Sequence, residues 1–117
     1  MTSIRQLKPF IPSGPDFQRA KDFFRELGFE VAWEADGLAE LQLGEAAFLL
    51  QQFDNPIVQN NLMMLAVVDD LDSWWQRILD SGVLAKYGVH AKPPIEYPWG
   101  QREVHLIDPA GVCWHFA

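Results

Sequence analysis

The segment PWGQREVHLIDPAGVCWHFA, residues 98–117, contains two runs of alternating character, REVHLI (102–107) and VCWHFA (112–117), joined by DPAG. A side-chain period of two is the mark of a strand, and Asp, Pro and Gly at the junction favour a tight turn. The segment therefore predicts an antiparallel hairpin. Parity sorts its side chains: Val104, Leu106, Val112, Trp114 and Phe116 line a core face, while Glu103, His105, Cys113 and His115 share the other. Two imidazoles on one face, ten residues apart in sequence, raise the question of a metal site.

Upstream the period changes to that of a helix. In DDLDSWWQRILDSG (69–82), Asp69 or Asp70 suits the N-cap, Leu71, Trp74, Trp75, Ile78 and Leu79 form an apolar stripe, and Gly82 stops the helix. The tryptophans read as core. GPDFQRAKDFFRELGF (14–29) repeats the design, with Pro15 in the first turn, Phe17, Ala20, Phe24 and Leu27 on one face, and Gly28 as the stop. The strands FEVAW, LAELQL and AAFLLQQF follow this first helix. After the second comes a looser stretch, KYGVHAKPPIEYPWG, and then the hairpin. Extended segments IRQLKPFI and LMMLAVV precede the two helices.

The order strand, helix, three strands thus occurs twice. Punctuation aligns the copies: Asp16-Phe17 over Asp70-Leu71, Glu40 to Leu43 over Glu103 to Leu106, and Phe48 to Gln52 over Val112 to Phe116. Internal repeats of this size pair to bury a shared core. The expectation is a single α+β domain, 1–117, made of two βαβββ modules, about 1–56 and 60–117, with DNPIVQNN (54–61) as linker. Its curved mixed sheets would surround a cup, with helices on the outer faces. By parity Leu41 and Leu43 face the first helix; Glu40, Gln42, Leu49, Gln51 and Phe53 face the cup.

With 117 residues, 49% of them hydrophobic, the chain has material for one core and not two. No apolar run approaches the roughly 20 residues that cross a bilayer, and MTSIRQLKPF lacks the apolar centre of a signal peptide, so a cytoplasmic protein with no membrane partner is expected. The single cysteine, Cys113, fits a reducing compartment and reads as a buried small hydrophobe. A net charge of −7 argues against nucleic acid and favours a cationic ligand. No phosphate-binding glycine loop or serine nucleophile elbow occurs. His90, between lysines, reads as solvated.

The double unit, the segment DFQRAKDFFRELGF after a Pro-rich start, and above all PWGQREVHLIDPAGVCWHFA resemble the glyoxalase, bleomycin-resistance and extradiol-dioxygenase superfamily, the vicinal oxygen chelate fold, and within it the bleomycin resistance proteins. The resemblance implies four inward positions at which metal-dependent members place His, Glu or Gln. In this chain they fall on Pro9, Gln51, Met63 and His115. Proline has no donor, and methionine is a poor ligand for hard or borderline divalent ions. The expectation is no metal and no cofactor, with His105 and His115 a hydrogen-bonded pair lacking a carboxylate partner.

Two functions remain open. One is a metal-free binding protein that sequesters an aromatic, cationic small molecule, a bleomycin-type antibiotic among the candidates, in a dimer cup. Its ligand-binding residues would be Trp99, Trp33, Glu40, Gln51, Met63, Glu103, His105 and His115, with the two tryptophans as stacking plates. The other is a metal-dependent glyoxalase-like lyase, isomerase or dioxygenase. The resemblance also implies a homodimer, with the first strand open to exchange about Pro9.

Overall fold

In the computed structural model, which describes residues 1–117, both anticipated helices form between their anticipated caps. Helix α1 (Phe17–Leu27) begins where the Asp16 side chain accepts from the Arg19 amide and ends at Gly28, whose φ of 122° suits a residue without Cβ. The helix of the second half, Leu71–Ser81, begins at Asp70, which accepts from the Ser73 amide, and ends at Gly82.

Eight strands surround them: β1 (Phe10–Pro12), β2 (Glu30–Ala35), β3 (Leu38–Leu43), β4 (Ala46–Gln51), β5 (Met63–Ala66), β6 (Ala91–Glu96), β7 (Arg102–Ile107) and β8 (Cys113–Phe116). They make two open four-stranded sheets, ordered β1-β4-β3-β2 and β5-β8-β7-β6. Each is mixed: β1 pairs parallel to β4 and β5 parallel to β8, and the other pairs are antiparallel. The topology repeats, one sheet per half. No helix is long and apolar enough to cross a membrane.

Three segments differ from expectation. Of IRQLKPFI only Phe10 and Ile11 join a strand, because Pro9 and Pro12 lack the amides that a longer ladder needs. The linker 54–61 contains a one-turn helix, α2 (Pro56–Gln59), whose first amides bond to the Asn55 side chain. With the Leu71–Ser81 helix numbered α3, the looser stretch after it holds α4 (Val83–Tyr87) and β6, which carries Pro93 and Pro94. Two prolines are tolerable there because β6 is an edge strand and its register shifts between Lys92 and Ile95.

One core serves both halves. Phe23, Phe24, Leu41, Phe48 and Leu50 join Ile78, Val104, Leu106, Trp114 and Phe116 in a single buried cluster. Trp114 sets its ring 5.4 Å from that of Phe24 and 5.2 Å from that of Phe48, edge to face or tilted, so the second half plugs into the first. Every residue that parity assigned to the helix side of β3, β4, β7 and β8 packs in or against this core. The opposite faces remain free for another role.

Candidate functional site

A single carboxylate shapes the turn of the C-terminal hairpin. Asp108 Oδ1 accepts from the amides of Ala110, Gly111 and Val112 at 2.9–3.0 Å, and Oδ2 accepts from Trp114 Nε1 at 3.0 Å. Gly111 sits at φ 102°, where a side chain would be strained and a Cβ would meet Asn60 Oδ1 at 2.6 Å. This turn fixes the register that places His105 directly opposite His115.

The two imidazoles converge on one oxygen. His105 Nε2 lies 2.8 Å and His115 Nδ1 2.9 Å from Glu103 Oε1. Trp99 Nε1 donates to the other oxygen, Oε2, at 2.9 Å. Glu103 is 3% exposed, and although burial pushes its carboxyl up, the bonds from His105, His115 and Trp99 hold it down at about 2. It is an ionised acid inside the protein. The histidine pair expected to lack a carboxylate partner therefore has one, two residues before His105 on the same strand face.

Aromatic rings extend the cluster outward. Trp99 stacks on Tyr97 at 4.8 Å and 14°, Tyr97 stacks on His105 at 4.6 Å and 17°, and His105 meets His115 at 4.0 Å. Tyr97 Oη also lies 3.3 Å from His105 Nδ1. Sequence reasoning missed Tyr97, although its two-residue offset from Trp99 was a usable sign. Trp99 ends the ladder, 62% exposed.

The first half carries a parallel arrangement with different partners. Trp33 Nε1 donates to Glu40 Oε1 at 3.2 Å, Lys8 Nζ reaches the same oxygen at 2.9 Å, and Gln42 Nε2 donates to Oε2 at 2.7 Å. The Lys8 and Gln42 bonds hold the Glu40 carboxyl below the usual carboxylate range. Each sheet thus presents one buried glutamate under one tryptophan. No hydrogen bond joins the two groups within one chain.

The remaining candidates stay apart. Gln51 is exposed and pairs with Pro12 and Leu38, and Met63, 65% exposed, lies across from Cys113, while Leu65 is the neighbour of His115. Cys113 is half-buried rather than buried, and burial pushes its thiol up, opposite to what a nucleophilic thiolate needs. His90 is exposed, as expected. A cleft of about 1110 Å³ lies elsewhere, between α1, β2 and α4, with a mostly charged lining.

Residues 13–116 match the model of the Glyoxalase/Bleomycin resistance protein/Dioxygenase superfamily. The chain belongs to this superfamily. A bleomycin-binding protein solved with bleomycin superposes with a TM-score of 0.81 at 21% identity over 97% of each chain. The bleomycin-binding protein from bleomycin-producing Streptomyces verticillus, solved with copper(II)-bleomycin, gives 0.81 at 23%, covering 100% of this chain and 98% of that one. A glyoxalase / bleomycin resistance protein from Catenulispora acidiphila gives 0.72 at 26% over 94% of each. No curated protein sequence matches.

The superfamily's implied metal does not fit the positions that the resemblance assigns to it. Pro9 precedes β1 and offers no side-chain donor, Met63 stands beside the wrong residue of β8, and Gln51 has no polar side-chain partner in either cluster. His115 alone is a ligand-type residue near other such groups, and its Nδ1 is bonded to Glu103. One imidazole and one amide among the four positions fall short of the three protein ligands typical of a catalytic zinc.

Proposed function

We propose that this chain is a binding protein of the bleomycin-resistance type, which holds an aromatic, cationic small molecule without transforming it and without the four-ligand metal set of the superfamily's enzymes. The observation that carries the reading is the pair of Trp-capped glutamates, Trp33–Glu40 and Trp99–Glu103. A flat ring gains from either exposed indole, and a cationic substituent gains from the ionised Glu103 carboxylate, which no lysine or arginine neutralises, whereas Glu40 is already paired with Lys8; such contacts contribute about 0.5–2 kcal/mol each, so several act together. The similarity to bleomycin-binding structures supports the same class of ligand.

A homodimer completes the proposal. Phe10 on β1 and Met63 and Leu65 on β5 are exposed apolar residues on the edge strands of the two sheets, which a second copy would cover while closing each cup. Titration with bleomycin and a panel of flat aromatic cations, followed by tryptophan fluorescence, is expected to give saturable quenching. Trp99→Ala is expected to weaken binding by about 1–3 kcal/mol with little loss of folding stability. Absence of saturable binding across the panel, or turnover of any member of it, would overturn the reading.

A further inference from the structure

We propose that Glu103, His105 and His115 form a binding site for one divalent transition-metal ion of the Zn2+ or Co2+ kind, a ligand set on β7 and β8 that shares only His115 with the four positions the superfamily uses. Glu103 Oε1, His105 Nε2 and His115 Nδ1 lie within 4.8 Å of one another. The two nitrogens stand 2.8 and 2.9 Å from the oxygen. Neighbouring ligands around an ion with bonds of about 2.0–2.1 Å are separated by roughly 3 Å, so little movement is needed to admit one. Two imidazoles and one carboxylate also suit such ions chemically.

The surroundings match what metal ligands require. Trp99 Nε1 anchors the outer oxygen of Glu103 and orients the carboxylate. With the ion on Nε2, the His105 proton resides on Nδ1, where Tyr97 Oη at 3.3 Å is placed to accept it. With the ion on Nδ1, the His115 proton moves from Nδ1, where Glu103 Oε1 accepts it in the metal-free protein, to Nε2. The histidine side chains remain 16% and 20% exposed, which leaves coordination positions open on the cup face.

Charge distinguishes the two sheets. Glu40 is neutralised by the Lys8 ammonium, which would repel a cation. Glu103 is buried more deeply, and no lysine or arginine pairs with it; its only partners of positive type are the two histidines. A buried carboxylate without a fixed cation is costly, and a divalent ion supplies the missing charge. The first sheet is closed to metal, and the second is suited to it.

Cobalt(II) titrated into full-length protein stripped with a chelator, with no organic ligand present, tests the site. The expected result is a visible absorption band that saturates at one ion per chain and is displaced by Zn2+. Glu103→Gln, His105→Ala and His115→Ala should each weaken binding at least about tenfold, whereas Glu45→Gln, at an exposed carboxylate outside both clusters, should leave it unchanged; circular dichroism checks that each variant is folded. No saturable binding by the wild-type protein at millimolar Co2+ would overturn the proposal. So would an equal loss in Glu45→Gln, which would mark diffuse attraction to acidic surface. Because the titration contains no bleomycin, its failure leaves the small-molecule reading standing, and failure of the bleomycin titration leaves the metal site standing.

Discussion

Asp108 gathers four N–H donors around one carboxylate, yet its burial pushes the carboxyl up to about 6, from an ordinary 3.8 in an open chain. The folded state therefore binds this proton more tightly than the unfolded state, and unfolding releases it between about pH 4 and 6. Stability should fall as pH rises through that window, by up to about 1.4 kcal/mol per pH unit. Asp108→Asn keeps an oxygen for the three backbone amides and removes the titration, so its profile should lose this slope. Its amide would face Trp114 Nε1 and leave a buried donor unpaired, at a cost of about 1–3 kcal/mol. Urea unfolding from pH 4 to 7 checks both, and an unaltered slope in the variant would show that another group sets it. The same residues show how far the site was legible. Alternation in REVHLI and VCWHFA put Glu103, His105 and His115 on one face. Their convergence on a single oxygen depends on hairpin register, which the five-residue turn sets through Asp108 and which side-chain periodicity does not encode.

Among the elements, those with strong local signals formed as read. Helices α1 and α3 carry an Asp N-cap, an amphipathic stripe and a terminal glycine, three independent cues that agree. Strands β4 and β8 alternate in burial because one face meets the core and the other does not, whereas in β3 and β7 the alternation is broken by Glu40 and Glu103, each covered by its own hydrogen-bond partners on the opposite face. By contrast, β6 has a Pro-Pro interruption and a shifted register, and α2 and α4 are one turn or little more, too short for a period to show. Their existence is a product of tertiary packing: Val83 and Tyr87 of α4 are buried, the latter edge-on to Phe23 at 5.4 Å. The N-cap reading has a direct test. Asp70→Ala removes the acceptor of the Ser73 amide and should cost about 0.5–2 kcal/mol in urea unfolding, with helix content and fold otherwise retained. An unchanged midpoint would mean that water or Asp69 replaces the cap.

For the whole molecule, the two halves share one core but keep their glutamate faces separate, and that separation bears on how a ligand could be enclosed. The group around Trp33 and Glu40 and the group around Trp99 and Glu103 have no hydrogen bond between them. Both lie on open sheets whose edge strands, β1 and β5, present unpaired backbone beside exposed Phe10, Met63 and Leu65. Uncharged apolar edges invite pairing with another chain, and a two-fold arrangement would let the first sheet of one copy face the second sheet of its partner. The chain, 13.4 kDa as a monomer, is therefore expected to sediment as a dimer at micromolar concentration. Phe10→Asp places a charge on the exposed edge of β1, away from the Trp99–Glu103 group and outside the core cluster, so it should shift the protein toward monomer while leaving the circular dichroism spectrum and thermal transition nearly unchanged. If ligand affinity falls in parallel with dimer dissociation, the cup is built by two copies. A wild-type chain that sediments as a monomer and still binds its ligand with full affinity would instead confine recognition to the Trp99–Glu103 face of a single sheet.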